Sequence, residues 1–99
     1  YTFNEIEIDI LSKTVRVRTK KIDITKKEID LLLYLIGNEN RVLSKSAIAE
    51  HLSGDMADML DNHDFVYAHI KNLKNKLKEA GCSDYIKTVY GLGYKWQND

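Results

Sequence analysis

The sequence predicts an α+β domain in which an antiparallel sheet leads into three helices and a β-hairpin closes the chain. Three observations predict it: a period-two alternation over the first two dozen residues, a change to helical periodicity at Thr25, and strand-type residues flanking a Gly-x-Gly turn near the end of the chain. With 99 residues, 43% of them hydrophobic, the chain is long enough for one modest core, so residues 1–99 are read as a single domain.

The sheet comes first. Ile6, Ile8 and Ile10 alternate with Glu5, Glu7 and Asp9, Val15 and Val17 alternate with Arg16 and Arg18, and Ile22 and Ile24 follow. One outer face is acidic and the next basic, so the two can pair across the sheet, a contribution to solubility more than to function. At Thr25 the period becomes helical. Thr25 and Glu28 have capping-box spacing, Ile24 and Ile29 supply a hydrophobic staple, and Ile29, Leu32, Leu33 and Ile36 form an i, i+3, i+4, i+7 stripe that Gly37 is expected to end in a left-handed conformation. Leu43 and Ile48 repeat the staple around Ser44 as N-cap, which starts a second helix at about Lys45 and ends it near Leu52. A third, longer helix is predicted from about residue 62 to 80, with Asp61 as N-cap, Gly81 as stop, and Val66, Ile70, Leu73 and Leu77 as the buried stripe. The closing hairpin runs from Tyr85 to Tyr90, turns at Gly91, Leu92 and Gly93, and returns through Tyr94, Lys95 and Trp96.

Several functions are excluded. The most apolar stretch, 29–36, contains Asp30 and is far shorter than the roughly 20 residues of a membrane span. Cys82 is the single cysteine and has no internal disulfide partner, which fits a reducing, cytoplasmic setting. His51, His63 and His69 do not have zinc-ligand spacing with Cys82, and the acids of 55–61 lack the order of a calcium loop. No metal or cofactor is expected. No nucleophile, base and orienting group can be assembled, so the sequence does not describe an enzyme. The Gly-x-Gly lies between strands and has no third glycine, unlike a dinucleotide fingerprint.

Charge placement says more than net charge. Fifteen Lys and Arg balance fifteen Asp and Glu overall. Residues 37–64 nevertheless carry two basic side chains against six acids, a net of −4, while residues 65–99 carry six lysines against three acids, a net of +3. At ~100° per residue, the face of the third helix opposite its buried stripe centres on Asp64, Ala68, Lys71, Asn75 and Lys78, with Tyr67 and Lys74 on one flank and Asn72 on the other. His69 falls at the edge of the buried stripe and is expected to pack. Lysine suits phosphates and guanine edges and asparagine suits adenine, so this face beside a β-hairpin has the chemistry of a DNA reader in a winged helix-turn-helix.

Three segments carry a family resemblance: ITKKEIDLL from Ile24, VYAHIKNLKNKL from Val66 and IKTVYGLGY from Ile86. Their order and spacing resemble the OmpR/PhoB-type effector domain of two-component response regulators over essentially the whole chain. The resemblance implies a four-stranded N-terminal sheet, a third helix in the major groove, and a hairpin wing on the minor groove or backbone. Carried onto this sequence, it marks Phe65, Ala68, Lys71, Asn72 and Lys74 on the helix, and Thr88 and Tyr90 on the wing. The helical wheel independently selects Ala68, Lys71, Asn72 and Lys74 and adds Asn75 and Lys78, but not Phe65. Lys45, at the start of the second helix, completes the DNA-binding set. Asp64, Asn72 and Tyr90 stand where the family often has arginine, which implies fewer phosphate contacts and an altered target. Tyr90 has two readings, a wing contact with DNA or a core aromatic beneath the wing.

The resemblance also implies partners. The loop of residues 54–61, longer than the 3 to 4 residues of a simple helix-turn-helix, corresponds to an RNA polymerase contact and would use Asp55, Met56, Asp58 and Met59. A receiver domain outside this chain, phosphorylated by a cognate sensor kinase, would promote a dimer on direct-repeat half-sites of double-stranded DNA. The alternative from another class is a winged-helix protein-protein interaction module, which would require apolar residues on the exposed face of the third helix.

Overall fold

The period-two segment folds as a four-stranded antiparallel meander in which β1 (Thr2–Phe3), β2 (Ile6–Asp9), β3 (Thr14–Val17) and β4 (Lys20–Ile22) lie in sequence order. The structure, a computed structural model, describes residues 1–53 and 64–98. Across β2 and β3, Ile6 faces Val17 and Ile8 faces Val15, and all four side chains are buried. Glu7 and Arg16 face one another on the other side, as the charge pattern requires. Ile10 departs from the expected alternation. The Asp9 carboxylate accepts hydrogen bonds from the backbone N–H groups of Leu11 (3.1 Å) and Ser12 (3.2 Å), so the chain turns after Asp9 and leaves Ile10 exposed.

Helix α1 (Lys26–Gly37) begins at the expected capping box. The Glu28 N–H donates to Thr25 Oγ1 (3.2 Å) and the Thr25 N–H donates to Glu28 Oε1 (2.9 Å). Two expectations for this helix are corrected. Gly37 does not take a left-handed conformation, because Asn38 caps the helix instead: its Nδ2 donates to the Tyr34 carbonyl (2.8 Å), and the positive φ falls on Asn40 at +69°. The buried surface is also wider than one stripe. Leu31 and Leu35 are fully buried with Ile29, Leu32 and Ile36, while Leu33 is only partly buried, since α1 is packed on more than one side.

Helix α2 (Lys45–Ser53) starts as expected, with Ser44 Oγ accepting the Ala47 N–H (3.0 Å) and Leu43 and Ile48 both buried. The Lys27 ammonium donates to the Leu52 carbonyl, a cation at the negative end of this helix. Helix α3 (Asp64–Glu79) buries Val66, Ile70, Leu73 and Leu77, the four residues of its expected stripe. It stops at Gly81, whose φ is +90°. The Gly81 N–H donates to the Lys78 carbonyl (3.0 Å) and the Cys82 N–H to the Leu77 carbonyl (2.9 Å), the paired bonds of a Schellman end. Asp61 and the expected helix start at 62 lie outside the described residues.

The second sheet has three strands rather than a bare hairpin. β5 (Val42–Leu43) pairs with β7 (Gly93–Trp96), which pairs with β6 (Ile86–Val89). This corrects the role of Gly93, which belongs to β7 and not to the turn. Its φ is +146°, and a Cβ there would sit 2.0 Å from the Leu43 carbonyl oxygen, so a glycine is required for β5 to approach.

The two sheets are joined through Glu5, in the turn between β1 and β2. Its carboxylate accepts the Tyr85 hydroxyl on Oε1 and the Ser83 N–H on Oε2 (2.8 Å), while Asn4 Nδ2 donates to the Tyr85 oxygen (3.2 Å). Phe3 lies edge-on to both Tyr85 (5.4 Å) and Trp96 (5.5 Å), and Tyr85 stacks on Trp96. Burial opposes the charge on Glu5, but the bonds from Tyr85 and Ser83 outweigh it and bring the carboxyl down to about 2 from 4.5. A depressed carboxyl stabilises the fold above its unfolded value and loses that contribution as pH falls through its folded value. Glu5→Gln is therefore expected to destabilise the protein by about 1–3 kcal/mol near neutral pH. It should also flatten the loss of stability between pH 4.5 and about 2. Thermal melting across that range checks this, and parallel pH profiles for parent and variant would remove Glu5 from the account.

Candidate nucleic-acid interface

Burial of Val66, Ile70, Leu73 and Leu77 sets the rotation of α3 about its own axis and turns the opposite face outward. Ala68, Lys71, Asn72, Asn75 and Lys78 are all exposed there, and Lys74 is half-buried at the flank. His69 is partly buried and packs edge-on against Phe65 at 6.1 Å, as its position at the stripe edge implies. Phe65, which the resemblance marked and the wheel did not, is partly buried against the core. The helical face is therefore lysine and amide around one small residue, Ala68, where a base edge can approach closely.

The rotation of α3 has a second constraint. Lys76 extends to Glu28, a carboxylate only 2% exposed, and donates to Oε1 at 2.5 Å. Burial pushes the Glu28 carboxyl up, but the hydrogen bond from Lys76 and the Thr25 N–H outweigh it, so the group lies below the ordinary carboxylate range. Lys76 thus serves the fold, and the remaining lysines of α3 face solvent or its margin.

The wing is the turn Tyr90, Gly91 and Leu92 between β6 and β7, closed by the Leu92 N–H donating to the Val89 carbonyl (3.0 Å). Tyr90 is 93% exposed, so the reading of it as a core aromatic beneath the wing is wrong; Tyr85, Tyr94 and Trp96 fill the interior instead. Thr88 is exposed on the neighbouring strand. A groove of about 490 Å³ joins the wing to the helices: Lys45 and Ser46 from the start of α2, Tyr67 from α3, and Thr88, Tyr90 and Leu92 from the wing. Three of the expected residues, Lys45, Thr88 and Tyr90, are thereby brought to one place. Tyr67, 59% exposed, was only a flanking residue in the helical wheel. Its spacing of four from Lys71 was the signal that it shares this side of α3.

Lys74 is not free of partners. Its ammonium lies 3.7 Å from Asp84 Oδ1, and Lys87 lies 3.8 Å from Asp84 Oδ2. Burial pushes the thiol of Cys82, nearby, up to about 12, which favours its protonated form. Asp55, Met56, Asp58 and Met59, the expected polymerase-contact residues, lie outside the described residues. Among the described residues, no helix is long and apolar enough to cross a membrane.

Comparison with known proteins gives a consistent result. Residues 19–96 match the family model described as "Transcriptional regulatory protein, C terminal". The chain is 41% identical over 91 residues to response regulator ArlR of Staphylococcus haemolyticus, covering 92% of this chain and 41% of that protein. It is similar to Thermotoga maritima DrrB, an OmpR/PhoB homolog, with a TM-score of 0.81 and 28% identity over 99% of this chain and 44% of that one. It shares the fold of the DNA-binding domain of response regulator AdeR, solved in complex with an intercistronic region, with a TM-score of 0.86 and 23% identity over the whole of both chains. The chain spans about two fifths of the length of the curated relatives it matches. With a family match over most of its length and a winged-helix fold, the chain belongs to the C-terminal domains of transcriptional regulatory proteins, the winged-helix effector domains of OmpR/PhoB-type response regulators.

Proposed function

We propose that this domain binds double-stranded DNA in a sequence-specific manner, with α3 in the major groove and the wing on the minor groove or backbone. The observation that carries the reading is the outward face of Ala68, Lys71, Asn72, Asn75 and Lys78 beside a groove that α2, α3 and the wing line together. Lysines supply phosphate contacts, and the amides of Asn72 and Asn75 can pair with an adenine edge. Lys45, Thr88 and Tyr90 would contact the strand lying along the groove, and Lys74 the backbone at its flank.

On the same reading, residues 1–99 are the effector domain of a longer response regulator that acts in the cytoplasm. The short span of this chain against its relatives supports a receiver domain elsewhere in the protein, addressed by a cognate sensor kinase. Two such domains would sit as a dimer on direct-repeat half-sites. Asp55, Met56, Asp58 and Met59 would meet RNA polymerase, a role that their acidic and apolar side chains suit better than DNA contact.

One observation favours the second reading, a protein-interaction module: Tyr67, Tyr90 and Leu92 expose aromatic and aliphatic surface around the groove. The two readings differ in salt dependence. Selection of bound sequences from a random duplex pool, followed by titration of the selected duplex at several salt concentrations, tests the DNA reading; failure to enrich any sequence would contradict it.

Two substitutions refine it. Lys71→Ala is expected to weaken duplex binding. A phosphate role would show as a similar loss on all sequences with a salt slope lower by about 1, and a base role as relaxed preference at one position worth about 1–3 kcal/mol. Unchanged affinity would take Lys71 out of the interface. Tyr90→Arg, at a side chain with almost no packing to lose, is expected to leave the melting temperature unchanged, tighten binding and steepen its salt dependence by about one phosphate equivalent. Weaker binding by an equally stable variant would contradict the wing contact.

A further inference from the structure

Asp84 stands between two lysines that come from different elements, Lys74 from α3 and Lys87 from β6, and each lysine meets a different carboxylate oxygen. The position is held from below. Ser83 and Tyr85, its two neighbours in sequence, both bond to the Glu5 carboxylate, and Tyr85 is buried against Phe3 and Trp96. The backbone of Asp84 is thereby fixed while its side chain, 58% exposed, reaches into the basic margin of α3. A carboxylate bridged by two ammonium groups through two oxygens has the arrangement that a DNA phosphate would adopt with the same pair.

We propose that Asp84 is an internal competitor for DNA phosphate: it occupies the Lys74 and Lys87 pair in the free protein and holds back binding driven by phosphates alone. This inference rests on the DNA-binding reading and adds Lys87 as a phosphate contact. Non-specific binding comes from neutralising phosphates with lysine and arginine, so a pair of lysines that has one of its two charges cancelled by the shared Asp84 carboxylate contributes less to it. A phosphate that displaces the carboxylate must also come close to its negative charge, a cost present on every sequence. Base contacts by α3 offset that cost only at a matching site. The effect of Asp84 is therefore on selectivity, and it fits a chain with no net charge to hold it against DNA at random.

The test uses the 99-residue chain and a short mixed-sequence duplex, titrated at several salt concentrations, with Asp84→Asn compared to the parent. The expected result is a melting temperature close to the parent's, since exposed ion pairs contribute little. Binding should be about fivefold tighter and the salt slope steeper by about 1, for the one positive charge that the lost carboxylate releases. In a Lys74→Ala, Lys87→Ala background, Asp84→Asn should bring no such gain. Three results would overturn the proposal. Unchanged or weaker binding by Asp84→Asn would show that the carboxylate does not compete, and persistence of the gain without the two lysines would show that they do not mediate it. Absence of salt-sensitive duplex binding by the parent would remove the DNA reading itself, and the Asp84 inference with it.

Discussion

Glu28 carries a charge into the interior of the domain, and the placement of α3 follows from what that charge must have. A carboxylate 2% exposed is costly unless hydrogen bonds and an opposite charge satisfy it. One oxygen receives both the Thr25 N–H, which starts α1, and the Lys76 ammonium, which comes from the last turns of α3. A single side chain thus caps one helix and pins another. Rotating α3 would withdraw Lys76 and leave the carboxylate buried without its cation, a change that costs about 3–5 kcal/mol where a buried pair is broken. The apolar stripe from Val66 to Leu77 imposes the same rotation independently, so two kinds of force agree on which face of the helix meets solvent.

The wing has its own anchorage. Gly93 allows the Leu43 carbonyl to come against β7, and Glu5 draws the segment before β6 onto the N-terminal sheet through Ser83 and Tyr85. β7, which pairs with β6 in the hairpin, pairs on its other edge with β5, and β5 leads directly into α2 through Ser44. The groove between α2, α3 and the wing is therefore a consequence of core packing and backbone pairing. Lys45, Thr88 and Tyr90 line it with exposed side chains, and the lysine excess of residues 65–99 arises with no excess in the chain as a whole.

The features legible in the sequence are those whose partners are close along the chain. Thr25 and Glu28 are three residues apart, Val66 to Leu77 repeats at helical spacing, and Gly81 follows its helix directly; each was read correctly. The features missed depend on distant partners. Nothing near Glu5 indicates Tyr85, nothing near Lys76 indicates Glu28, and the two residues of β5 are too few to show a period. Where a local expectation failed, another local interaction competed with it: the Asp9 turn removed Ile10 from its strand, and the Asn38 side chain ended α1 in place of a left-handed Gly37. The interface follows the same rule. The lysine and amide face of α3 was readable from periodicity, but the attachment of Lys74 to Asp84 and the convergence of Lys45, Tyr67, Thr88 and Tyr90 on one groove needed the tertiary arrangement.

On the proposed function, the outward face of α3 and the wing form one surface for duplex DNA. Backbone amide chemical shifts of the 99-residue chain, followed by NMR as selected duplex is added at moderate salt, test it residue by residue. The account predicts the largest changes at Ala68, Lys71, Asn72, Asn75, Thr88 and Tyr90, and little change at Glu7 and Arg16 on the outer face of the N-terminal sheet. Changes centred on Glu7 and Arg16, with α3 and the wing unaffected, would contradict it.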